Sequence, residues 1–454
     1  MQGSEYLIFL ISQAFSELGD HLWALGLRNF LFENSPWTPA AGLALVFVLQ
    51  AIPVFIFGPW VLSRIGTRWR SVALAADLFR LCVTLIFAVV LFCRPRNSSD
   101  ADIILMLLAT QLLLECGTLV FQNCRNCLVP VLYPNPSDLP RAHLWANVAS
   151  LSAAGVVPLL FFWFLPTQGR ITVPWLMAAA LVDAFRFALS AAALFSLRKS
   201  RRLHSVQNSE KRSAERGLKS TLTSGFQIMK KHPAAGRLLL FSFVYNFCLM
   251  GPFEIGHVTM LRRDLGLPPE VLAVNLLLFL GGIFAGTFAA DRFWKKGKAD
   301  HLRRFSKAIF WDGITFFPIC IFVAAKEGIP RTFFLGGLAT LFFLHYMLVP
   351  FVKVSRLAGL QEWTDQRDWS ALLGFHTVAV EGASALSVIL VALAFPSLSG
   401  TLLLGLGGAG AALCGLFGLR LLVTQSPEPE KHVSFTPDSA PQIGESNPMP
   451  RPPP

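Results

Sequence analysis

Twelve apolar stretches, each long enough to cross a bilayer, limit what this chain can fold into. They read approximately as 5–33, 38–63, 70–93, 101–129, 139–166 and 172–197, then 234–261, 269–291, 304–326, 330–356, 369–395 and 397–424. Hydrocarbon offers no water to a bare peptide group, so each stretch predicts a helix that closes its own hydrogen bonds. Between the sixth and seventh lies a polar run from Arg198 to His232, which divides the chain into two similar halves. The expected fold class is an all-α membrane protein with twelve transmembrane helices in two six-helix bundles. The expected domains are an N-terminal bundle over 1–197, a basic linker over 198–232, a C-terminal bundle over 233–424 and a disordered tail, rich in Pro, Ser and acidic residues, over 425–454.

Hydrophobic residues make up 54% of the chain and charged residues 15%, with a mean hydropathy of +0.54. Lipid solvates such a mixture and water does not. The net charge of +12 does not point to a nucleic-acid partner, because the basic residues gather in alternate loops between apolar spans. That asymmetry sets orientation, with both termini and the linker, which holds ten Lys and Arg, on the cytoplasmic side of a cell membrane. The opening MQGSEYLIFLISQAF has no basic region ahead of its apolar run and continues through Glu17 and Asp20, so the first span is expected to be retained. The linker is expected to act as a tether with an amphipathic helix, or to bind anionic lipid or a partner. Cys124 and Cys127 form a C-x-x-C at one end of a span with no second pair, and are expected to pack rather than bind metal or cycle redox state.

An ionisable side chain at membrane depth costs at least about 3 kcal/mol unless paired or hydrated, so each is a functional candidate. In span one Gln13, Glu17, Asp20 and His21 recur at three to four residues and share one helical face, which must look into a cavity or another helix. Asp20, with Glu17, can take up a proton in one access state and release it in the other; the alternative is an ion pair with Arg28 or Arg125. Span six holds Asp183 and Arg186, spaced to pair on their own helix. In span seven Tyr245, Asn246, Glu254 and His257 surround a Gly251-Pro252 break expected to permit gating, and Glu254 and His257 share a face that can hold a cation or shuttle a proton. Trp311 and Asp312 are read at the start of span nine, and His345 in span ten as a packing histidine. His376 and Glu381 lie in span eleven, five residues apart and so not stacked on one face; Glu381 is the strongest carboxylate of the second half.

Several stretches carry a resemblance to the major facilitator superfamily, most closely to its bacterial exporter branch, which includes the enterobactin exporter. Phe121 to Ala142, FQNCRNCLVPVLYPNPSDLPRA, resembles the inner end of that branch's fourth span and the following loop, and SQAFSELGDHLWALGLRNFLFENS resembles its first span with a Gly19-Asp20 pair. Gly58, Arg64 and Gly66 resemble the superfamily's signature loop between spans two and three. Gly286, Asp291, Arg292 and Gly297 echo it between spans eight and nine, as repeated halves would. In the family that loop's carboxylate latches the halves at the cytoplasmic side; here Ser63 stands at the first copy and Asp291 at the second. The resemblance also matches Arg125 to an arginine associated with proton coupling. Gly155 and Pro158 keep a reduced form of an antiporter pattern. A distant likeness to ferroportins rests on Gly19-Asp20-His21-Leu22-Trp23, which would make Asp20 a metal ligand, although Ala24 replaces the histidine they place one turn later.

No P-loop and no nucleophile–base–orienter set is found in the loops, so neither ATP hydrolysis nor another enzymatic activity is expected and no cofactor is called for. The reading is a monomeric secondary transporter, a proton-coupled exporter of a small organic molecule, drug-like or siderophore-like, with substrate, protons and lipid as its partners. The alternatives are a ferroportin-like exporter of divalent metal and a membrane scaffold or receptor that transports nothing.

Overall fold

The computed structural model describes residues 4–16, 23, 27, 30, 39–56, 68–94, 100–133, 139–154, 173–197, 218–268, 270–294, 300–364, 368–395 and 397–423. In the first half, α1 covers 4–16, α2 Pro39–Ile56, α3 Trp69–Phe92, α4 Asp100–Leu132, α5 Leu139–Ala154 and α6 Val173–Ser196. A linker helix, α7, covers Leu218–Lys231. In the second half, α8 is Pro233–Thr259, α9 Glu270–Trp294, α10 His301–Ala324, α11 Arg331–Tyr346, α12 Val349–Glu362, α13 Trp369–Ala394 and α14 Gly400–Val423. Among the described residues there is no strand, and nine helices are long and apolar enough to cross a bilayer.

The polarity of the molecule suits lipid rather than water. Phe92, Ile321, Phe333 and Leu393 present their side chains outward, while Asp77, Arg80, Asp183, Arg186 and Asp312 are buried. Apolar surface costs nothing against acyl chains, whereas a charge there does, so charges move inward and find partners. In the first half α3 packs on α4 and α6, around Trp23, Phe87, Trp175 and Phe187. In the second, α10 packs on α14, and α8 on α13 and α14, around Phe305, Phe316, Phe342 and Tyr346. The bundles meet through α2 against α13, α5 against α9 and α12, and α4 against α13.

Three local features depart from the sequence reading. Helix α8 runs unbroken through Gly251 and Pro252. Gly251 instead lets α8 approach α13: its backbone N donates to Ser387 Oγ at 2.8 Å, and an added Cβ would lie 2.3 Å from the Ser387 carbonyl oxygen. The irregularity comes later, as a π-turn over Met260–Asp264. Span ten, read as one helix, is interrupted where α11 gives way to α12 at Met347 and Leu348. Gly286 of α9 lies against that interruption, since a Cβ there would sit 2.1 Å from the Met347 carbonyl oxygen; the glycine of the signature-like motif is required by close packing. Asp312, read at the start of span nine, lies at mid-helix.

Helix α7 buries Ile228 and sets Phe226 edge-on against Phe375 near the start of α13, with ring centroids 5.0 Å apart. The membrane face at which α7, the end of α12 and the start of α13 meet is called the linker end below.

Candidate functional site

Polar groups from both halves meet at the linker end. Arg141 of α5 donates through Nε to Asp291 of α9 at 2.8 Å. Gln361 of α12 lies between α4 and α5: its Oε1 is 2.5 Å from His143 Nε2, and its Nε2 donates to the Asn126 carbonyl oxygen at 2.9 Å. Thr377 of α13 donates to Asn123 Oδ1 of α4 at 3.1 Å. Around these links Tyr6, Phe9, Trp69 and Phe121 of the first half share one apolar cluster with Leu357, Trp369 and Leu373 of the second. The Arg141–Asp291 pair is partly exposed and is worth about 1 kcal/mol or less on its own. Gln361 is 2% exposed, so its two bonds are shielded from water and weigh more.

A second group of charges lies deeper, between α12 and α13. Lys353 and Arg356 are three residues apart on α12 and both half-buried. Arg356 is in electrostatic reach of Glu381 and His376 on α13 and of Tyr245 on α8; Lys353 is in reach of Glu381 and of Arg125 on α4. Glu381 keeps exposed side-chain surface although protein surrounds it. That combination places it on the wall of a water-accessible space inside the molecule, not against lipid. His376 is 6% exposed, and neither of its ring nitrogens has a hydrogen-bond partner, nor has Arg356 Nε.

The second bundle encloses a third group. The fully buried Asp312 of α10 accepts from the Tyr245 hydroxyl at 2.7 Å and faces His345 Nδ1 of α11 at 3.3 Å. Thr315 Oγ1 is 3.0 Å from the same His345 nitrogen. Phe253 links this group to the rest of α8, with its ring 5.7 Å from His345 and stacked on His257 at 5.4 Å. Asn275 donates to the Tyr346 hydroxyl at 2.8 Å, and Glu254 acts on that hydroxyl electrostatically. Such a chain of carboxylic acid, imidazole and hydroxyl groups can pass a proton and is shielded from lipid.

In the first bundle Asp77 accepts from Arg80 and, at 2.5 Å, from Ser190 of α6. Arg80 also donates to Ser16 at 2.8 Å and to Thr118 at 3.3 Å, with its guanidinium over the rings of Phe121 and Phe187. With both members buried, paired and stacked, this network acts as a structural clamp on α1, α3, α4 and α6.

No family model and no curated protein matches the chain. Solved structures do. A bacterial homologue of the iron transporter ferroportin, in its outward-facing state, superposes with a TM-score of 0.67 at 13% identity, over 92% of this chain and 99% of that one. The inward-facing state of a bacterial ferroportin homologue gives a TM-score of 0.58 at 13% identity, over 92% and 98%. The proton:xylose symporter XylE gives 0.63 at 13% identity, over 93% and 97%. The fold is the major facilitator fold.

Within the major facilitator fold the residues singled out from sequence divide into three sets. Glu17, Asp20, His21, Gly58, Arg64 and Gly66 lie outside the described residues. Arg125, His376 and Glu381 come together between the bundles, while Asp291 meets Arg141 at the linker end; His376 and Glu381, though on different faces of α13, converge on Arg356. Glu254 and His257 sit on the Asp312 side of the second bundle, and among the described residues no set of three His, Cys, Asp or Glu side chains could hold a metal ion. Asn246 spends its amide on the Ser242 carbonyl of its own helix, and Arg292 points outward. Asp183 and Arg186 pair on α6 at 3.0 Å, as their spacing implies. His345, read as a hydrogen-bonded packing histidine, shares a hydrogen bond with Thr315 and lies beside Asp312.

Sequence reasoning passed over Asp77, Arg80, Lys353, Arg356 and Gln361. A usable signal was present for Lys353 and Arg356: two cations one turn apart on an apolar helix share a face. Gln361 gave none, because nothing in a lone glutamine near a span end tells which helices surround it.

Proposed function

We propose that this protein is a secondary transporter in which the two bundles, 1–197 and 233–424, rock about a central site. The observation that carries the reading is the polar closure at the linker end. A permanent interface gains most from apolar packing. Hydrogen bonds through Gln361, Thr377 and Arg141 can be exchanged for bonds to water when the halves part, so the contact holds without being irreversible. The closed linker end corresponds to an outward-facing form, and the higher TM-score against the outward-facing ferroportin homologue than against the inward-facing one agrees. The linker end is cytoplasmic, as the loop charges imply, and the membrane is the cell membrane.

Within this reading the carboxylates supply coupling. Asp312, with Tyr245 and His345, exchanges a proton as access alternates; Glu381 answers to the central site and Asp20 to the first bundle. The cargo is a small organic molecule moved outward against protons, as in the exporter branch the chain resembles. A second reading, export of divalent metal, is supported by the fold likeness to the ferroportin homologue and by Asp20.

The test is reconstitution into proteoliposomes with an imposed pH gradient and an internal pH dye. Organic anions, organic cations, chelators and divalent cobalt or iron are added in turn. An organic compound that collapses the gradient in wild type, and not in Asp312→Asn or Asp20→Asn, establishes the coupling. Cobalt or iron flux without proton movement favours the metal reading, and no flux of any kind removes the transporter reading.

A further inference from the structure

The charges between α12 and α13 do not balance. Among the described residues, Lys353 and Arg356 bring two positive charges to a space where Glu381 supplies one negative charge. In an interior of low dielectric a surplus cation is far more costly than in water and requires a counter-charge. The surroundings of His376 point the same way. It is 6% exposed, carries two ring nitrogens without a hydrogen-bond partner, and stands near Arg356, whose Nε is likewise without one. Buried donors left open cost about 1–3 kcal/mol each, so a built site with two open donors, Arg356 Nε and one imidazole N–H of His376, is expected to receive acceptor atoms. Glu381 marks the water-accessible wall of the same space, through which a ligand can enter.

We infer that this space is a binding site for an organic anion, a carboxylate, sulfonate or phosphate whose charge is met by Lys353 and Arg356 and whose oxygens accept from Arg356 and His376. Guanidinium and imidazole in one pocket form hydrogen bonds to an oxyanion that an ammonium or a neutral ligand cannot use. Glu381 tempers the site: it offsets part of the positive charge, so the anion binds reversibly, as a carried molecule must. That the bound anion is cargo rests on the transporter reading; that the site binds anions does not.

Two probes of equal apolar size and opposite charge test this, naphthalene-2-sulfonate and 2-naphthylmethylammonium. Each is titrated by calorimetry into the full-length protein in phosphatidylcholine nanodiscs, with empty nanodiscs as blank. The sulfonate is expected to bind and the ammonium not. Arg356→Gln and Lys353→Gln should each weaken sulfonate binding at least tenfold, His376→Phe severalfold, and Glu381→Gln should tighten it. Should Arg356→Gln fold poorly by thermal melting, Glu381→Gln still decides the matter, because it must tighten the sulfonate. Binding of the ammonium in its place, lost in Glu381→Gln, overturns the inference, as does sulfonate binding unchanged across all four variants or no binding by either probe. Sulfonate binding of the expected pattern in a protein that moves nothing across proteoliposomes keeps the anion site and removes transport; transport without sulfonate binding does the reverse.

Discussion

Gln361 offers the sharpest perturbation of the closure between the bundles. Gln361→Ala removes the bond to His143 and the bond to the Asn126 carbonyl, both in a place water reaches poorly, since His143 is 3% exposed and Gln361 2%. Leaving a buried donor or acceptor open costs about 1–3 kcal/mol. Two such groups, discounted because the smaller side chain admits some water, give about 2 kcal/mol, all of it in the closed form, because open halves hydrate them anyway. At about 1.4 kcal/mol per tenfold, the open fraction at the linker end should rise about thirtyfold. The native thiols report it. Cys127 is 2% exposed and one helical turn from Asn123, on the α4 face that meets α13, whereas Cys414 is buried inside the second bundle. Maleimide modification of each cysteine, followed by peptide mass spectrometry, should quicken about thirtyfold at Cys127 and stay constant at Cys414. Equal acceleration at both thiols would mean general loosening, and no change at either would mean that Gln361 does not hold the halves; each outcome refutes the reasoning.

Two further substitutions probe the scaffold. A Cβ at Gly117 would sit 2.5 Å from Arg80 Cγ, so Gly117→Ala must push Arg80 off Asp77 and Ser16; a loss of about 3 kcal/mol is expected in the thermal stability of nanodisc samples, while Gly405→Ala, with Cys320 Sγ at 3.6 Å, should melt like wild type. Gly225 abuts Phe375 closely enough that Gly225→Leu should lift α7 from α13, which limited proteolysis would register as faster cutting within 218–231 with the bundles intact.

Helices and their ends were legible because lipid leaves a chain little choice: long apolar runs become helices, and polar runs become loops. Where both ends of a span are described, the helices match the sequence reading to within a few residues except where packing intervened; the far ends of spans one, two and five lie outside the described residues. Gly251-Pro252 reads locally as a break, yet α8 stays straight enough to pack there because Gly251 serves the contact with α13. The interruption of span ten does have a local signal, Pro350 in the first turn of α12, whose ring removes a backbone donor; what was not legible is the close approach of Gly286, which lies on another helix. Similarly, the spacing of His376 and Glu381 separates them on α13, and only Arg356, across the interface, joins them.

The sequence alone determined that this chain crosses a membrane many times in two halves, and which spans hold ionisable groups, because hydropathy, loop charge and local pairing act over a few residues. Tertiary structure alone decided which end of the molecule is closed, that Asp77 and Arg80 clamp one bundle while Asp312 pairs with His345 in the other, and that Lys353 and Arg356 outnumber Glu381 between the bundles. Apart from the local Asp77–Arg80 pair, whose clamp needs Ser16 and Ser190 from other helices, those relations join residues from tens to more than two hundred positions apart, and charge balance belongs to a space, not to any one helix that borders it.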